Sequence, residues 1–457
     1  MGYRQSDGSF VTFLVLAAVA ASACGARTGL SVTDKAAPAC TTPSRGTKVP
    51  DCDAQSTALS GTVYDPAGKN PLYDVVVYVP ASTPAPLPSG ATCDSCSDLY
   101  TGSPVATALT DAQGRFVLSN VPPGADVPLV LQIGKWRRQL RVPNVVPCQE
   151  NRLPDRLLTL PKNHTEGDIP AIAVSTGGSD TFECLFRRVG VDASEYTGDP
   201  LGAGRIHIFQ GTANGGGVDA PTTAAPAPSS SSALWDSASD LARYDMVFLS
   251  CEGQETANMN QQALFDYAAS GGRVFASHFH YSWFQDGPFG AWNLATWSQG
   301  QADIGDIDAV VTTTLPSGAP FSKGMGLAQW LGGRGALEPN GELRVRAARH
   351  NADLSPANAP SQSWLDADQD ASAPGASQSF SFNTPLDAPP SSQCGQVVYT
   401  AMHVGAASND EKGLPVPDEC AMVDLSPQEM VLEFLMFNLS SCVIPTEEKP
   451  RAPASCP

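Results

Sequence analysis

Three of the six histidines in the chain follow segments that the sequence predicts to be buried strands. His278 and His280 come directly after one apolar run, and His403 comes after another. Cys251 and Glu252 follow a third apolar run in the same way. Because ligands of open α/β sheets bind beyond the carboxyl ends of the strands, these five residues form the candidate ligand-binding site.

These residue types allow three kinds of chemistry. Alternate residues of a strand share a face, so His278 and His280 could supply two ligands to zinc or another divalent metal, with His403 or Glu252 as a third. Cys251 with a histidine and Glu252 could instead be a nucleophile set, because a thiolate needs only a base and a carboxylate to orient that base. The third interpretation is that the histidines, which are flanked by aromatic residues, line a cleft or its hydrogen-bond network. The sequence leaves all three open and favours the third.

A cluster of aromatic residues follows the first histidine pair. Aromatic rings beside polar groups can stack on the faces of sugars, although aromatic residues in such loops more often cover a core. Carbohydrate binding is therefore one expectation for this region, and its candidate side chains are Trp283, Phe284, Phe289, Trp292 and Trp297.

The N-terminus predicts export. The apolar run from Phe10 to Ala23 is shorter than the roughly 20 residues of a transmembrane helix and is typical of a signal peptide. It ends in Ala-Ser-Ala-Cys24-Gly, which resembles the lipobox of bacterial lipoproteins. The resemblance implies lipidation of Cys24 and a lipid anchor in the cell envelope, in the outer membrane because no aspartate follows the cysteine. A plain secretory signal with an incidental cysteine is the alternative.

The other cysteines agree with export. Cys93 and Cys96 have the spacing of zinc ligands, and Cys148 with Cys184 could complete a set of four. We expect disulfides instead, because the sequence has only one such pair and an exported protein lies in an oxidising compartment. With Cys24 set aside, the 12 cysteines leave an odd number. Cys251 lies in an apolar run and is the candidate for the free thiol.

Length and charge limit the function classes. A chain of 457 residues favours two folded domains. The net charge of -19 excludes nucleic acid as the expected partner, because phosphate binding needs a basic face. The expected partners are the membrane, through the lipid anchor, and an envelope glycan or another envelope protein.

The first domain is predicted to be an antiparallel β-sandwich. Residues 1–24 are the expected signal peptide and residues 25–57 a flexible tether. From residue 58, short β-branched runs alternate with Gly, Pro and Asp turns. The segments SGTVYDPAGKNPLYDVVVYVP and TALTDAQGRFVLSNVPPG resemble the carboxypeptidase regulatory-like family of transthyretin-type sandwiches, over residues 58–143. That resemblance implies an accessory module and no peptidase activity.

The second domain is predicted to be α/β. After a linker over 144–168, apolar strands alternate with helices through residues 169–445, and a tail of 446–457 follows. This order indicates a doubly wound, flavodoxin-like parallel sheet with helices on both faces. Asp180 with Glu183 predicts the start of one helix, and Ser426-Pro427-Gln428-Glu429 predicts the start of another.

Three segments of this domain carry a resemblance: LARYDMVFLSCEG, NQQALFDYAASGGRVFASHFHY and CGQVVYTAMHV. Together they resemble the class I glutamine amidotransferase-like superfold, in particular its trehalose-utilisation (ThuA-like) branch. The amidotransferases carry a catalytic cysteine after the strand that here ends in Ser277-His278, and this chain has none there. Cys251 follows the preceding strand. Amidotransferase activity is therefore not expected.

The sequence thus predicts a cell-envelope lipoprotein with a non-catalytic role, either structural or in binding a ligand such as a carbohydrate. The alternative is a hydrolase-like or metal-dependent enzyme centred on the histidines. No cofactor is expected except, in that case, a divalent metal.

Overall fold

The computed structural model describes residue 52 and residues 56–211, 227–407 and 414–456, all within one compact unit. The predicted signal peptide, the predicted lipidation site Cys24 and most of the predicted tether lie outside the described residues. In the part of the chain that is described, no helix is both long enough and apolar enough to span a bilayer.

Two β-sheets form the N-terminal module. One sheet has the order β4-β1-β7 with β8 also paired to β1, and the other has the order β3-β2-β5-β6-β9. Residues of both sheets share a core, as in a sandwich. The strands are β1 (Ala58–Tyr64), β2 (Val76–Pro80), β3 (Pro104–Leu109), β4 (Arg115–Leu118), β5 (Gly124–Ile133), β6 (Trp136–Val145), β7 (Glu150–Arg152), β8 (Leu158–Thr159) and β9 (Gly167–Asp168), with one short helix, α1 (Cys96–Leu99).

The segment interpreted as a linker is part of this module. β6 extends to Val145, β7 and β8 both pair with β1 in parallel, and β9 pairs with β6. The linker interpretation of residues 144–168 is therefore wrong. Strands of two or three residues are too short to show alternation, and they are held by backbone hydrogen bonds that leave no pattern in the side chains.

A sheet of ten strands is the centre of the second module. Its order is β11-β12-β10-β13-β14-β21-β20-β19-β16-β17. The first six strands of this order run parallel, and each of the last four, β20, β19, β16 and β17, is antiparallel to its neighbours. The strands of this sheet are β10 (Ile172–Ser175), β11 (Tyr196–Thr197), β12 (Ile206–Phe209), β13 (Met246–Leu249), β14 (Arg273–Ser277), β16 (Asp303–Val311), β17 (Leu343–Arg349), β19 (Gln362–Ala367), β20 (Ser377–Thr384) and β21 (Gly395–Thr400). Two further strands, β15 (Thr296–Trp297) and β18 (Ala352–Asp353), pair with each other in a separate two-stranded sheet.

Helices cover both faces of the parallel part. Alternate strand residues enter two separate cores: Val174 and Phe248 lie in one, Ala173 and Val247 in the other. The helices are α2 (Phe182–Arg188), α3 (Ser232–Trp235), α4 (Ala238–Leu241), α5 (Gln261–Ala269), α6 (Tyr281–Gln285), α7 (Gly287–Gly290), α8 (Ser322–Arg334) and α9 (Pro427–Ser440). The predicted parallel sheet is therefore only part of a larger mixed one.

The two modules share one core. Trp136 of the sandwich meets Phe437 of α9 edge to face at 5.8 Å, and Tyr73 stacks on Phe434 at 5.7 Å. Two disulfides also join the modules, Cys93–Cys394 and Cys96–Cys442. The fold is thus β-rich, with two modules packed into a single body.

The cysteine expectations are confirmed. The alternative zinc set does not form, because Cys93 and Cys96 are bridged to the second module, Cys148 to Cys52, and Cys184 to Cys420. Cys456 is also disulfide-bonded. Among the described residues Cys251 is the free cysteine, and it is buried.

Candidate metal centre

Three adjacent parallel strands bring the candidate residues together. Cys251 follows β13, His278 directly follows β14, and His403 follows β21 after two residues. β14 lies between β13 and β21 in the sheet. Because the carboxyl ends of parallel strands meet at one edge, residues far apart in the chain share a single site.

The three side chains are close enough to share a ligand. Cys251 Sγ lies 3.3 Å from His278 Nδ1, and the imidazole rings of His278 and His403 meet edge to face at 5.0 Å. One potential metal-ligating atom from each residue lies within 4.8 Å of those of the other two. We refer to Cys251, His278 and His403 as the donor triad.

Buried side chains anchor the main chain of each triad residue, which limits how far the donors can drift apart. The anchors are three hydrogen bonds: the Cys251 N–H donates to Ser277 Oγ (2.8 Å), the Tyr399 hydroxyl donates to the His278 carbonyl (3.1 Å), and Gln428 Nε2 donates to the His403 carbonyl (2.6 Å).

His280 lies outside the triad. The strand ends at Ser277, and His278–His280 form a 3₁₀ turn that begins with His278 at a φ of +37°. His280 Nδ1 is 3.3 Å from the Ser277 carbonyl oxygen, and its ring packs edge to face on Trp283 at 4.8 Å. The prediction that His278 and His280 share a strand face is therefore wrong, because the chain turns between them.

Glu252 is also outside the triad. Its side chain is buried, with 3% exposure, and lies beside Gly211 beyond the end of β12. A β-carbon at Gly211 would be 3.0 Å from Glu252 Oε1. The Glu252 carboxylate thus lies near the end of β12, whereas the histidines follow β14 and β21 on the opposite side of β13. Glu252 is therefore not the third ligand that the sequence offered as an alternative to His403.

The triad is buried and incompletely hydrogen-bonded. Cys251 is 0% exposed, and His278 and His403 are each 1% exposed. Within the described part of the chain, His278 Nε2 and both ring nitrogens of His403 have no hydrogen-bond partner. Leaving a buried polar atom unpaired costs about 1–3 kcal/mol, and native proteins rarely do so without a bound ligand, ion or water.

The surroundings keep all three side chains neutral. Burial, with the nearby His403 and Arg349, lowers the pKa of His278 to about 2. Burial and Arg349 lower the pKa of His403 to about 3. Burial raises the pKa of the Cys251 thiol to about 12. Proton transfer from this thiol to His278 is therefore unfavourable, so the protein environment does not favour a thiolate–imidazolium nucleophile pair.

Asp180 is a polar residue beside the site, where the sequence predicted only the start of a helix. It lies between β10 and α2, is 2% exposed, and burial raises its pKa to about 7. Its Oδ1 accepts the Val404 N–H at 2.8 Å, immediately after His403. The sequence assigned Asp180 to the start of a helix, but the residue before α2 is Thr181, which makes no side-chain cap bond. Only the fold reveals that the segment after β21 brings Val404 beside Asp180.

Most of the aromatic cluster is core. Trp283, Phe284 and Phe289 are no more than 1% exposed and belong to the second core, where Trp283 meets Trp235 at 4.9 Å. These three rings cannot stack on a sugar at the surface. The other two members, Trp292 and Trp297, are partly buried against the same core.

Comparison with known proteins does not identify a family. No protein-family model and no curated protein matches the sequence. Among solved structures, the chain is similar to two interface mutants of a type II cohesin–X-dockerin complex from Acetivibrio cellulolyticus. The N-terminal mutant is 14% identical with a TM-score of 0.17, covering 30% of this chain and 85% of that one. The C-terminal mutant is 15% identical with a TM-score of 0.16, covering 27% and 78%.

Proposed function

We propose that this protein binds a transition metal ion, with zinc as the first candidate, through Cys251, His278 and His403. The observation that carries the proposal is the burial of two neutral imidazoles and a thiol around one point, with three ring nitrogens lacking any described partner. Imidazole and thiolate are the ligands that zinc and copper prefer. A bound metal ion would accept the histidine lone pairs and replace the thiol proton.

The geometry needs only a small adjustment. Zinc binds thiolate at about 2.3 Å and imidazole at about 2.0–2.1 Å, so the donors of a tetrahedral site lie roughly 3.5 Å apart. The triad donors already lie within 4.8 Å of one another. A change of about 1 Å is within the reach of side-chain torsions.

The role of the metal is non-catalytic in this proposal. Three protein ligands leave a fourth position, which catalytic zinc sites use for water or substrate. Here each triad side chain is at most 1% exposed, so the site favours retention of an ion over turnover of a substrate. A metal-dependent hydrolase is the second candidate, and a metal-bound water that exchanges with small anions would favour it.

The wider assignments are also proposals. The order β12-β10-β13-β14-β21 corresponds to the 2-1-3-4-5 order of flavodoxin-like sheets and supports the glutamine amidotransferase-like, ThuA-like assignment of residues 169–445. The sandwich supports a carboxypeptidase regulatory-like module, extended beyond residue 143 by the strands up to β9. The lipid anchor at Cys24, the outer-membrane location and an envelope glycan or protein partner rest on the sequence alone.

The decisive variant is His403→Ala. Metal-free wild type should bind Zn²⁺ at one site per chain, and this variant should lose most of the affinity, because it removes one of three donors. His280→Ala is the matched control: it also removes a buried imidazole at the same sheet edge, but not a triad donor. Calorimetric titration measures both, with a thermal melt to establish folding.

Two results would overturn the proposal. One is a wild-type protein that does not bind Zn²⁺, Co²⁺ or Cu⁺. The other is equal loss of affinity in His403→Ala and His280→Ala, which would indicate a general disturbance of the sheet edge.

A further inference from the structure

A buried carboxyl group adjoins the proposed metal site. Asp180 Oδ1 accepts N–H groups from Val404 (2.8 Å) and Thr181 (3.1 Å). Its Oδ2 makes no hydrogen bond within 3.5 Å in the described part of the chain, although the Ser277 hydroxyl is near enough to lower the pKa of this carboxyl. The preceding residue, Ser179, donates its N–H to the Cys251 carbonyl at 2.9 Å. Asp180 is therefore tied to the segments that carry two of the three donors.

Other charges near the triad are already balanced. Arg349 lowers the pKa of both His278 and His403, but its guanidinium forms an ion pair with Asp303 at 2.6 Å. Glu429, whose charge also raises the pKa of Asp180, pairs with Arg188. Asp180 forms no ion pair with any residue that the structure describes. Its charge is thus available to balance a metal ion.

The charge of the occupied site depends on the ion. A divalent ion with one thiolate and two neutral imidazoles carries a net charge of +1, and a monovalent ion carries none. A net charge at 0–1% exposure is costly unless an opposite charge lies close by. An ionised Asp180 neutralises the divalent complex, whereas beside an uncharged monovalent complex it gains no opposite charge and burial favours its protonated form.

We infer that Asp180 makes the triad selective for divalent over monovalent metal ions, which rests on the proposed metal site. Without this carboxylate, thiolate and imidazole donors suit Cu⁺ as well as Zn²⁺. With it, Zn²⁺ is favoured by charge balance. Asp180 is a specificity-determining residue that acts through the field at the site and need not contact the ion.

The test is a competition between Zn²⁺ and Cu⁺ in wild type and Asp180→Asn, measured anaerobically against chromophoric chelators. Beyond burial, the Asp180 charge already raises the pKa of the Cys251 thiol, and a nearby opposite charge changes such an equilibrium by about tenfold to a thousandfold. The ratio of Zn²⁺ to Cu⁺ affinity should fall by that factor in the variant. Asp366→Asn is the matched control, because Asp366 is a mostly buried carboxyl on β19, two strands away from β21, and should leave the ratio unchanged.

Each outcome is decisive. If wild type binds neither ion, the proposed metal site fails. If both ions bind and Asp180→Asn keeps the wild-type ratio, the site stands and the role of Asp180 is refuted. Asp180→Ser, which is smaller and also neutral, serves as a second variant should Asn not fold. If neither variant folds while Asp366→Asn does, Asp180 is structural and the inference is wrong.

Discussion

At the scale of single residues, the site is defined by buried groups that stay uncharged. Burial lowers the pKa of His278 to about 2, that of His403 to about 3 and that of His280 to about 4. An unfolded chain would protonate all three near pH 6.5. These three histidines therefore hold fewer protons in the folded protein than in the unfolded chain in mildly acidic solution, and their contribution to stability falls as the pH decreases below about 6.5.

This linkage can be measured at His280, which is not a proposed ligand. Between pH 8 and pH 5 the unfolded state protonates this histidine and the folded state does not, which costs about 2 kcal/mol of stability. In metal-free protein, His280→Ala should lose about 2 kcal/mol less stability than wild type over that range, as measured by urea unfolding at both pH values.

Ser282→Ala is the control for this experiment. Its hydroxyl also donates to a main-chain carbonyl, that of Phe279 at 3.1 Å, but it does not titrate. The control should keep the wild-type pH dependence. An unchanged pH dependence in His280→Ala would show that this histidine has the same pKa in the folded and unfolded protein.

At the scale of elements, the sequence predicts individual strands and helices better than it predicts which of them pair in space. Apolar residues predict the three strands that precede Cys251, His278 and His403. Because the carboxyl ends of parallel strands meet at one edge, the sequence also predicts that these three residues lie close together. The helix after Ser426 was also predicted, and α9 begins at Pro427 with the Ser426 side chain accepting the Glu429 N–H. These features are local in the sequence, which is why pattern reasoning finds them.

Other features of the site depend on contacts that the sequence does not encode locally. The turn that follows Ser277 brings His278, and not His280, close to His403. The segment after β21 places Val404, and with it His403, beside Asp180. The short strands β7 to β9 were missed for a similar reason, since only their pairing partners define them. The four antiparallel strands that widen the sheet likewise follow from pairing in space.

At the scale of the whole molecule, the two modules behave as one body. Their cores are continuous, and the Cys93–Cys96 segment of the first module is bridged to Cys394 and Cys442 of the second. The turn between β5 and β6 packs against the end of α9. There a β-carbon at Gly134 would lie 1.7 Å from the Ser440 carbonyl oxygen.

Gly134→Ala should therefore disturb the contact between the modules. Gly134 has a φ of +54°, and Gly68, in the same module, has a φ of +73° but no atom closer than 3.6 Å to an added β-carbon. Gly68→Ala should cost about 1–2 kcal/mol from backbone strain alone. Gly134→Ala should cost a further 1–3 kcal/mol, roughly, from the clash. Urea unfolding measures both, and equal losses would contradict the close packing of the modules.

The most direct test of the metal proposal is X-ray absorption spectroscopy at the zinc edge of zinc-loaded wild-type protein. The donor triad predicts one sulfur at about 2.3 Å and two imidazole nitrogens at about 2.0–2.1 Å. The sulfur contribution should disappear in Cys251→Ser. A spectrum with only oxygen and nitrogen ligands, or a sulfur contribution that persists in Cys251→Ser, would contradict the account.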